Sequence, residues 1–285
     1  MNILVLASEY PYEKDTNADR TKVVGYFARE WVKQGHKVIA IVDSSTFPKV
    51  YYAVGDKIKG IVTKTFDVSR APDRLWTKRF SYDDFGVHVE NIPIVKYIPH
   101  GRFSRRAIDN QLKEIDAILK ANKFVPDVVT GHWVNPQIIL VPQIAQKYNA
   151  KAAFVFHADY GKENCEKFGV QQYLDQIDHI GFRSQSALNA AKGYLTFKEE
   201  PFVAASGIPD AFVEKLTSDS KKSFGDSTRI ITAGRLVEYK KIDVALSAAV
   251  KVFSNAKYDF VVAGDGPMKE KLQGYVNEVQ QQEHI

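Results

Sequence analysis

The sequence predicts an α/β chain of two Rossmann-like, doubly wound domains, the second incomplete. Three observations predict it. Short apolar runs rich in β-branched residues alternate with amphipathic helical stretches, the pattern of βαβ units around parallel sheets covered on both faces. A polar stretch, Glu214–Thr228, interrupts that alternation, and a second strand–helix series begins beyond it. The chain has 285 residues, enough for two domains of ordinary size. The first domain is expected at residues 1–208 and the first part of the second at residues 209–285.

The first strand is "NILVLA", Asn2–Ala7. A helix follows from about Arg20 to Gln34, with Val24, Phe27, Ala28 and Trp31 at helical spacing and Gly35 as its C-cap candidate. "HKVIAIV" is the second strand. Ser44 to His100 is less regular, with aromatics and short strand candidates in "GVHVENIPIVKYI". The helix Ser104–Ala121 lines up Ile108, Leu112, Ile115 and Leu119 behind a Ser104 N-cap. The strand "DVVTGH", the helix Pro136–Tyr148, the strand "KAAFVFH" and a helical piece near Val170–Gln176 come next. The strand "HIGFRS", the helix Gln185–Tyr194 and the short strand "FVAAS" close the first series. The second series reads "RIITAG", a helix Asp243–Ser254, "YDFVVAG" and a helix Pro267–Gln282. Right-handed crossovers between such strands give doubly wound sheets.

Apolar residues make up 45% of the chain and charged residues 26%, as in ordinary globular proteins. The net charge of +5 suits anionic partners, although so small an excess is equally that of a solvated basic surface. A lone cysteine, Cys165, permits no internal disulfide and fits a reducing compartment. "MNILVLAS" lacks a basic start and runs into the charged "EYPYEKDTNADR", so it is a buried strand and not a signal. No apolar run approaches the roughly 20 residues that span a bilayer. A cytoplasmic place, at the inner face of the membrane, is the expectation.

In open parallel sheets, ligands bind outside the C-terminal strand ends, where strand order reverses. Five polar or glycine-rich segments stand at such ends: "LASEYPY", "GHWVNP", "HADY", "AGRLVEYKK" and "AGDGP". In "AGRLVEYKK", Gly234 lets backbone approach closely, Arg235 has a fork suited to phosphate oxygens, and Lys240 lies near a helix start that favours an anion. The alternative is an exposed basic turn. In "AGDGP", Gly264 and Gly266 permit tight approach and Pro267 suits a first helical position. The "HADY" segment puts His157 and Asp159 past a buried strand, where an imidazole can meet a sugar hydroxyl or phosphate, or simply rest on a surface. His132 in "GHW" has the same two readings. There is no G-x-G-x-x-G, P-loop, G-x-S-x-G or HExxH, so dehydrogenase, P-loop, serine-hydrolase and zinc-protease chemistry lack their motifs. Nucleic-acid binding has only the charge in its favour and is not expected.

Taken together, these segments resemble the GT-B glycosyltransferases of family 4, which retain configuration. "GYFAREWVKQGHKVIAIV" looks like that family's first helix and second strand, and "GHWVNPQIILVPQIAQKYNAKAAFVFHADY" resembles its His-Trp strand end, helix and "H-G-x-D". "FRSQSA" and "SGIPDAF" resemble later elements. The most specific are "ITAGRLVEYKKID", similar to "GRL…KG.D", and "VVAGDGPMKEKL", similar to "G-D-G-P". The resemblance covers nearly the whole chain. It implies transfer of a sugar from a UDP- or GDP-linked donor to a glycan, glycolipid or other lipid-linked acceptor, in polysaccharide biosynthesis, with no cofactor and no bound metal. It implies His157 and Asp159 as catalytic positions. Gly234, Arg235 and Lys240 would bind the donor diphosphate, Gly264 and Gly266 would line the donor crevice, and Tyr10 and Arg20 would lie on an acceptor-side loop.

Departures from that pattern temper it. Ala158, Ser206 and Lys241 stand where the family has glycine, asparagine and glycine, and the first loop lacks a Gly-Gly pair. The chain stops at Ile285, before the expected segment with two glutamates, so the donor domain is expected to be begun and not finished. Two alternatives follow from the resemblance: a catalytically incomplete module that depends on a partner chain to complete the second domain, or a nucleotide-sugar epimerase. The clusters "RLWTKR" and "RFSRR" suit peripheral contact with an anionic membrane, or merely a solvated basic face.

Overall fold

The computed structural model describes residues 1–15, 21–66, 73–208, 212–214, 228–253 and 258–279. Arg20 and most of the polar stretch after Glu214 lie outside the described residues. The chain forms two compact units, Met1–Pro209 and Asp210–Ile285.

In the first unit the strands are β1 (Asn2–Ala7), β2 (Lys37–Val42), β3 (Ser45–Thr46), β4 (Phe80–Asp84), β5 (Val87–Asn91), β6 (Ile94–Val95), β7 (Val128–His132), β8 (Lys151–Phe156), β9 (His179–Phe182) and β10 (Phe202–Val203). The helices are α1 (Val23–Lys33), α2 (Lys49–Ala53), α3 (Asp56–Thr65), α4 (Arg105–Ala121), α5 (Gln137–Tyr148), α6 (Lys162–Phe168), α7 (Val170–Leu174) and α8 (Gln185–Ala191). Among the described residues one sheet runs β10-β9-β8-β7-β1-β2-β5-β4, and β3 pairs with β6 apart from it.

β1 is the centre of that sheet. It pairs in parallel with β2 (Leu4 beside Ile39) and with β7 (Leu4 beside Val129). Alternate side chains point to opposite faces. Leu4 and Leu6 therefore join Ile39, Ile41, Ile115 and Leu140 on one face, while Ile3, Val5 and Ala7 join Val24, Ala28 and Trp76 on the other. A strand covered on both sides needs an unbroken apolar run, which "ILVLA" supplies. Each such aliphatic side chain stabilises the fold by about 1.5–3 kcal/mol. Gly131 in β7 is required by packing, since a Cβ there would lie 2.6 Å from Val141 Cγ2 of α5.

The caps behave as their residues dictate. The Ser104 hydroxyl accepts from Ala107 N–H at 3.2 Å and starts α4. Gly35 takes φ +84 just after α1, and its N–H donates to Val32 C=O.

Three features differ from a purely parallel pattern read off the sequence. β4 runs antiparallel to β5, with Asp84 beside Val87. The turn between them, Phe85–Gly86, has positive φ at both residues (52° and 86°), the conformation of a tight two-residue hairpin. The helical piece expected near Val170–Gln176 is α7, and a further short helix, α6, precedes it, separated from it by Gly169, which takes φ +62. In the second unit, Pro267 lies before the helix, which begins at Lys269.

That second unit pairs β11 (Thr228–Ala233) in parallel with β12 (Tyr258–Ala263). Its helices are α9 (Ile242–Phe253) and α10 (Lys269–Glu278). Leu236, Ile242, Leu246, Phe260, Leu272 and Val276 form its core. Phe260 is buried on one face of the strand pair, whereas Ile231 and Val261 are exposed on the other, 63% and 37%. No helix among the described residues is long and apolar enough to cross a membrane.

Candidate functional site

Strand order in the first unit reverses at β1, whose neighbours are β2 on one side and β7 on the other. The crevice outside the C-terminal ends of β1 and β7 is thus the place a ligand would take in such a sheet. Parallel pairing sets two further strand ends, those of β8 and β9, beside it, with His132 opposite Val155 and Phe156 opposite Phe182. His132 closes β7, His157 follows β8 and Arg183 follows β9.

These three side chains form a hydrogen-bonded line. His132 Nδ1 lies 3.0 Å from His157 Nε2, and Arg183 Nη1 lies 3.4 Å from His157 Nδ1. A guanidinium can only donate, and this sets the direction of the whole line. Nδ1 of His157 accepts from Arg183, so its proton sits on Nε2 and is donated to His132 Nδ1. The proton of His132 then sits on Nε2, a buried atom with no partner among the described residues. The Trp133 ring stacks on His157 (4.2 Å between centroids, 18° between planes), and Phe27 of α1 faces His132 at 6.1 Å. Arg183 lies over the same Phe27 ring at 6.0 Å.

Both imidazoles are held neutral. Burial, then the neighbouring His157 and Arg183, lower His132 to about 3. Burial, then the Arg183 charge, lower His157 to about 4. Burial also lowers Arg183, whose guanidinium nevertheless keeps its charge. No carboxylate makes an ion pair with Arg183 among the described residues.

Asp159, two residues beyond His157, is exposed. Its Oδ1 accepts from Gly161 N–H at 3.0 Å and from the Tyr194 hydroxyl, which ties the loop after β8 to the turn after α8. Tyr10, which the resemblance puts on an acceptor-side loop, is fully buried. Its hydroxyl donates to Asp84 Oδ2 at 3.0 Å, and Arg29 grips both oxygens of that carboxylate at 2.8 and 2.6 Å. The ring therefore braces the loop after β1 against the β4–β5 hairpin. Gly25 of α1 allows the same loop to lie close, because a Cβ there would be 2.5 Å from Pro11 Cγ.

Below the crevice lies a buried polar network that sequence reading did not single out. The Ser8 hydroxyl donates to Gln137 Oε1 at 3.1 Å, and Gln137 Nε2 donates to Asp43 Oδ2 at 3.2 Å. Gln111 Nε2 donates to Asp43 Oδ1 at 2.6 Å and shares its donors with Ile92 C=O at 3.2 Å. Asp43 has no solvent exposure, and burial raises its carboxyl to about 7 against the lowering effect of the two amides.

In the second unit the loops after β11 and β12 are knitted together. Gly234 N–H donates to Ala263 C=O at 2.9 Å, Leu236 N–H to Asp265 C=O at 2.9 Å, and Met268 N–H to Leu236 C=O at 3.0 Å. This explains two glycines outright. A Cβ on Gly264 would stand 1.9 Å from Gly234 O, and one on Gly266 would stand 2.5 Å from Leu236 O. Gly234 is different, because a Cβ there would meet nothing within 4 Å. Arg235 beside it is half-buried, and Lys240 is exposed, with its ammonium 5.5 Å from the Tyr239 ring. Lys240 ends a short 3-10 turn, Glu238–Lys240, and Lys241 takes φ +53 before α9 begins. The Lys241 carbonyl accepts from Val244 and Ala245 N–H, so Lys241 caps the helix and Lys240 stands just outside it.

Sequence reasoning brought out His157, and weighed His132, at their strand ends. It left Arg183, Trp133 and Phe27 out of the site. The available signal was a cation directly after the apolar strand "HIGF".

No family model and no curated protein matches this chain. Solved structures do match. A glycosyltransferase from Rickettsia africae aligns with 100% of this chain and 66% of its own, at 14% identity and a TM-score of 0.58. The lipopolysaccharide outer core galactosyltransferase WaaB, in its apo form, aligns with 100% of this chain and 66% of its own, at 11% identity and a TM-score of 0.57. An α,α-trehalose-phosphate synthase (UDP-forming) from Burkholderia xenovorans, in complex with glucose-6-phosphate, aligns with 97% of this chain and 71% of its own, at 11% identity and a TM-score of 0.58. The chain thus spans about two thirds of the length of these proteins. At such identities the likeness establishes the fold, and that fold is the one GT-B glycosyltransferases share.

Proposed function

We propose that the chain is a glycosyltransferase that moves a sugar from a UDP- or GDP-linked donor to a sugar-containing acceptor. The observation that carries this reading is the end of β11. Gly234 is the one glycine of that loop pair that the protein's own packing does not require, and it stands next to Arg235. A bare backbone beside a guanidinium, shortly before a helix start, is a fitting cradle for a diphosphate. The fold shared with solved glycosyltransferases, one of them holding a sugar phosphate, supports the same reading.

In this reading the second unit takes the donor and the first takes the acceptor. When the glycosidic bond breaks, its electron pair goes to the β-phosphate oxygen, and Arg235 and Lys240 neutralise the charge that develops there. His157, neutral and with its tautomer held, offers a fixed surface to the sugar, with Asp159 holding the loop that presents it. Configuration at the anomeric carbon is retained, as the sequence resemblance implies. The acceptor is a glycan or a lipid-linked sugar.

A second reading, a module completed by a partner chain, is favoured by the uncovered face that bears Ile231 and Val261. Incubation of the chain with UDP- and GDP-sugars and a mixture of acceptors separates the two. Release of nucleoside diphosphate coupled to a glycosylated product supports the transferase. Nucleotide binding without product favours the partner-dependent module, and an isomerised donor sugar contradicts both.

A further inference from the structure

We propose that Arg183, held in place by His157, forms a subsite for an oxyanion, a phosphate or a carboxylate, borne by the acceptor. The proposal rests on the transferase reading for the word acceptor, and on the geometry of the first unit for the rest.

The hydrogen-bond bookkeeping of the cluster is one-sided. Arg183 Nε is shut off from water and has no partner among the described residues. Its Nη1 meets only the Nδ1 atom of His157, at a long 3.4 Å. Nδ1 of His157 and Nδ1 of His132 are both taken as acceptors, by Arg183 and by His157 in turn. Asp159, on the loop that follows His157, has Oδ1 occupied by Gly161 and Tyr194. The single N–H of His157 is spent on His132 and that of His132 is buried, so what the cluster offers a ligand is the remaining N–H donors of the Arg183 guanidinium and its positive charge, with no acceptor among the three side chains. A sugar hydroxyl needs to give a hydrogen bond as well as take one. An ionised oxyanion only takes, and a planar guanidinium suits it best.

The charge points the same way. A cation that sits against Phe27 and two neutral imidazoles, with no ion pair among the described residues, is an unusual thing to keep half-buried unless a ligand supplies the counter-charge. The donor diphosphate already has its own cations in Arg235 and Lys240 of the other unit, which leaves Arg183 to the acceptor. Trp133, stacked on His157, provides the apolar wall against which a sugar ring that carries the anion can lie.

The test is calorimetric titration of the full chain with inorganic phosphate, a hexose 6-phosphate, a hexuronate and the neutral hexose, each with and without UDP. A charge-assisted pair contributes about 1.5–3 kcal/mol, or roughly tenfold or more in affinity. At least one charged sugar should bind ten times tighter than the neutral hexose. Arg183→Gln should remove that difference and leave UDP affinity unchanged, while Arg183→Lys should keep part of it. The His157 ring nitrogens should shift in NMR spectra on addition of the charged sugar. Equal affinity for charged and neutral sugars, or a preference that survives Arg183→Gln, overturns the proposal. Loss of UDP affinity in Arg183→Gln as large as the loss of sugar-phosphate affinity also overturns it, because the anion is then the donor's. If Arg183→Gln does not fold, unchanged sugar-phosphate affinity in Arg183→Lys is the overturning result. Charged-sugar binding through Arg183 in a chain that binds no nucleotide would keep the subsite and remove the transferase reading. The reverse pattern would remove the subsite alone.

Discussion

Arg183 donates to Nδ1 of His157 at 3.4 Å, and this contact sets the tautomers of two histidines at once. Because the guanidinium has no lone pair to offer, the His157 proton must lie on Nε2, pointing at His132. A residue on one strand end thereby determines the protonation pattern of its neighbours on the next two.

The pair should stay neutral through the physiological range. With His157 lowered to about 4 and His132 to about 3, neither ring should titrate between pH 8 and pH 5 in an NMR experiment. The unfolded chain binds these protons near about 6.5. Between that value and the native ones, the unfolded state holds more protons, so the contribution to stability falls as the pH drops through this window. Arg183→Gln should move His157 part of the way back toward its ordinary value, since burial, the larger cause, remains. Titration of either ring near pH 6.5 in the unaltered chain would refute the assignment.

Asp43 should act with the opposite sign. Its carboxyl, raised to about 7, binds a proton in the native state where the unfolded chain, at about 3.9, has lost it. Its contribution to stability is therefore complete at low pH and is lost as the pH rises toward 7. Asp43→Asn should remove this dependence and stabilise the chain at pH 8 by on the order of 1 kcal/mol. Asparagine fits because Gln137 can turn its amide to accept from it, while the Ser8 hydroxyl swings to accept in exchange. Denaturant melts at pH 5 and pH 8 check this, and a destabilised Asp43→Asn at pH 8 would count against a buried, protonatable acid.

Lys241 holds φ +53, a conformation that costs a side-chain-bearing residue about 1–2 kcal/mol. Lys241→Gly should stabilise the second unit by about 1 kcal/mol net, after the greater freedom of glycine in the unfolded chain is counted. Thermal unfolding measures it, and a lower melting temperature would contradict the left-handed cap.

Gly234 and Gly264 should separate cleanly into a binding role and a packing role. Gly264→Ala forces a Cβ to within 1.9 Å of Gly234 O and should destabilise the chain by about 3 kcal/mol or more. Gly234→Ala meets no protein atom within 4 Å, so its unfolding should be nearly unchanged while nucleotide affinity falls. Equal destabilisation by both would show that Gly234 serves packing as well.

The legible part of this molecule was local. Buried strands such as "ILVLA", the Ser104 cap and the Gly35 stop are each dictated by a few neighbouring residues, and the structure has them where those residues stand. The hairpin of β4 and β5 was not legible, because Phe85–Gly86 lacks the usual Asn-Gly or Asp-Gly signal and its exposed ring rests against Arg29 instead. The burial of Tyr10 was not legible either, because its partner, Asp84, is 74 residues away. The His132–His157–Arg183 line has the same origin: three strand ends, each unremarkable alone, become one site only when the parallel sheet sets them side by side.

The central claim, that this chain handles a nucleotide-linked sugar, is tested most directly by calorimetric titration with UDP and GDP, using Arg235→Ala as the comparison. The account predicts binding of one of them by the unaltered chain and a loss on the order of tenfold or more in Arg235→Ala, measured at a temperature at which both chains are folded. Absence of binding for both nucleotides, or binding that Arg235→Ala leaves intact, would contradict it.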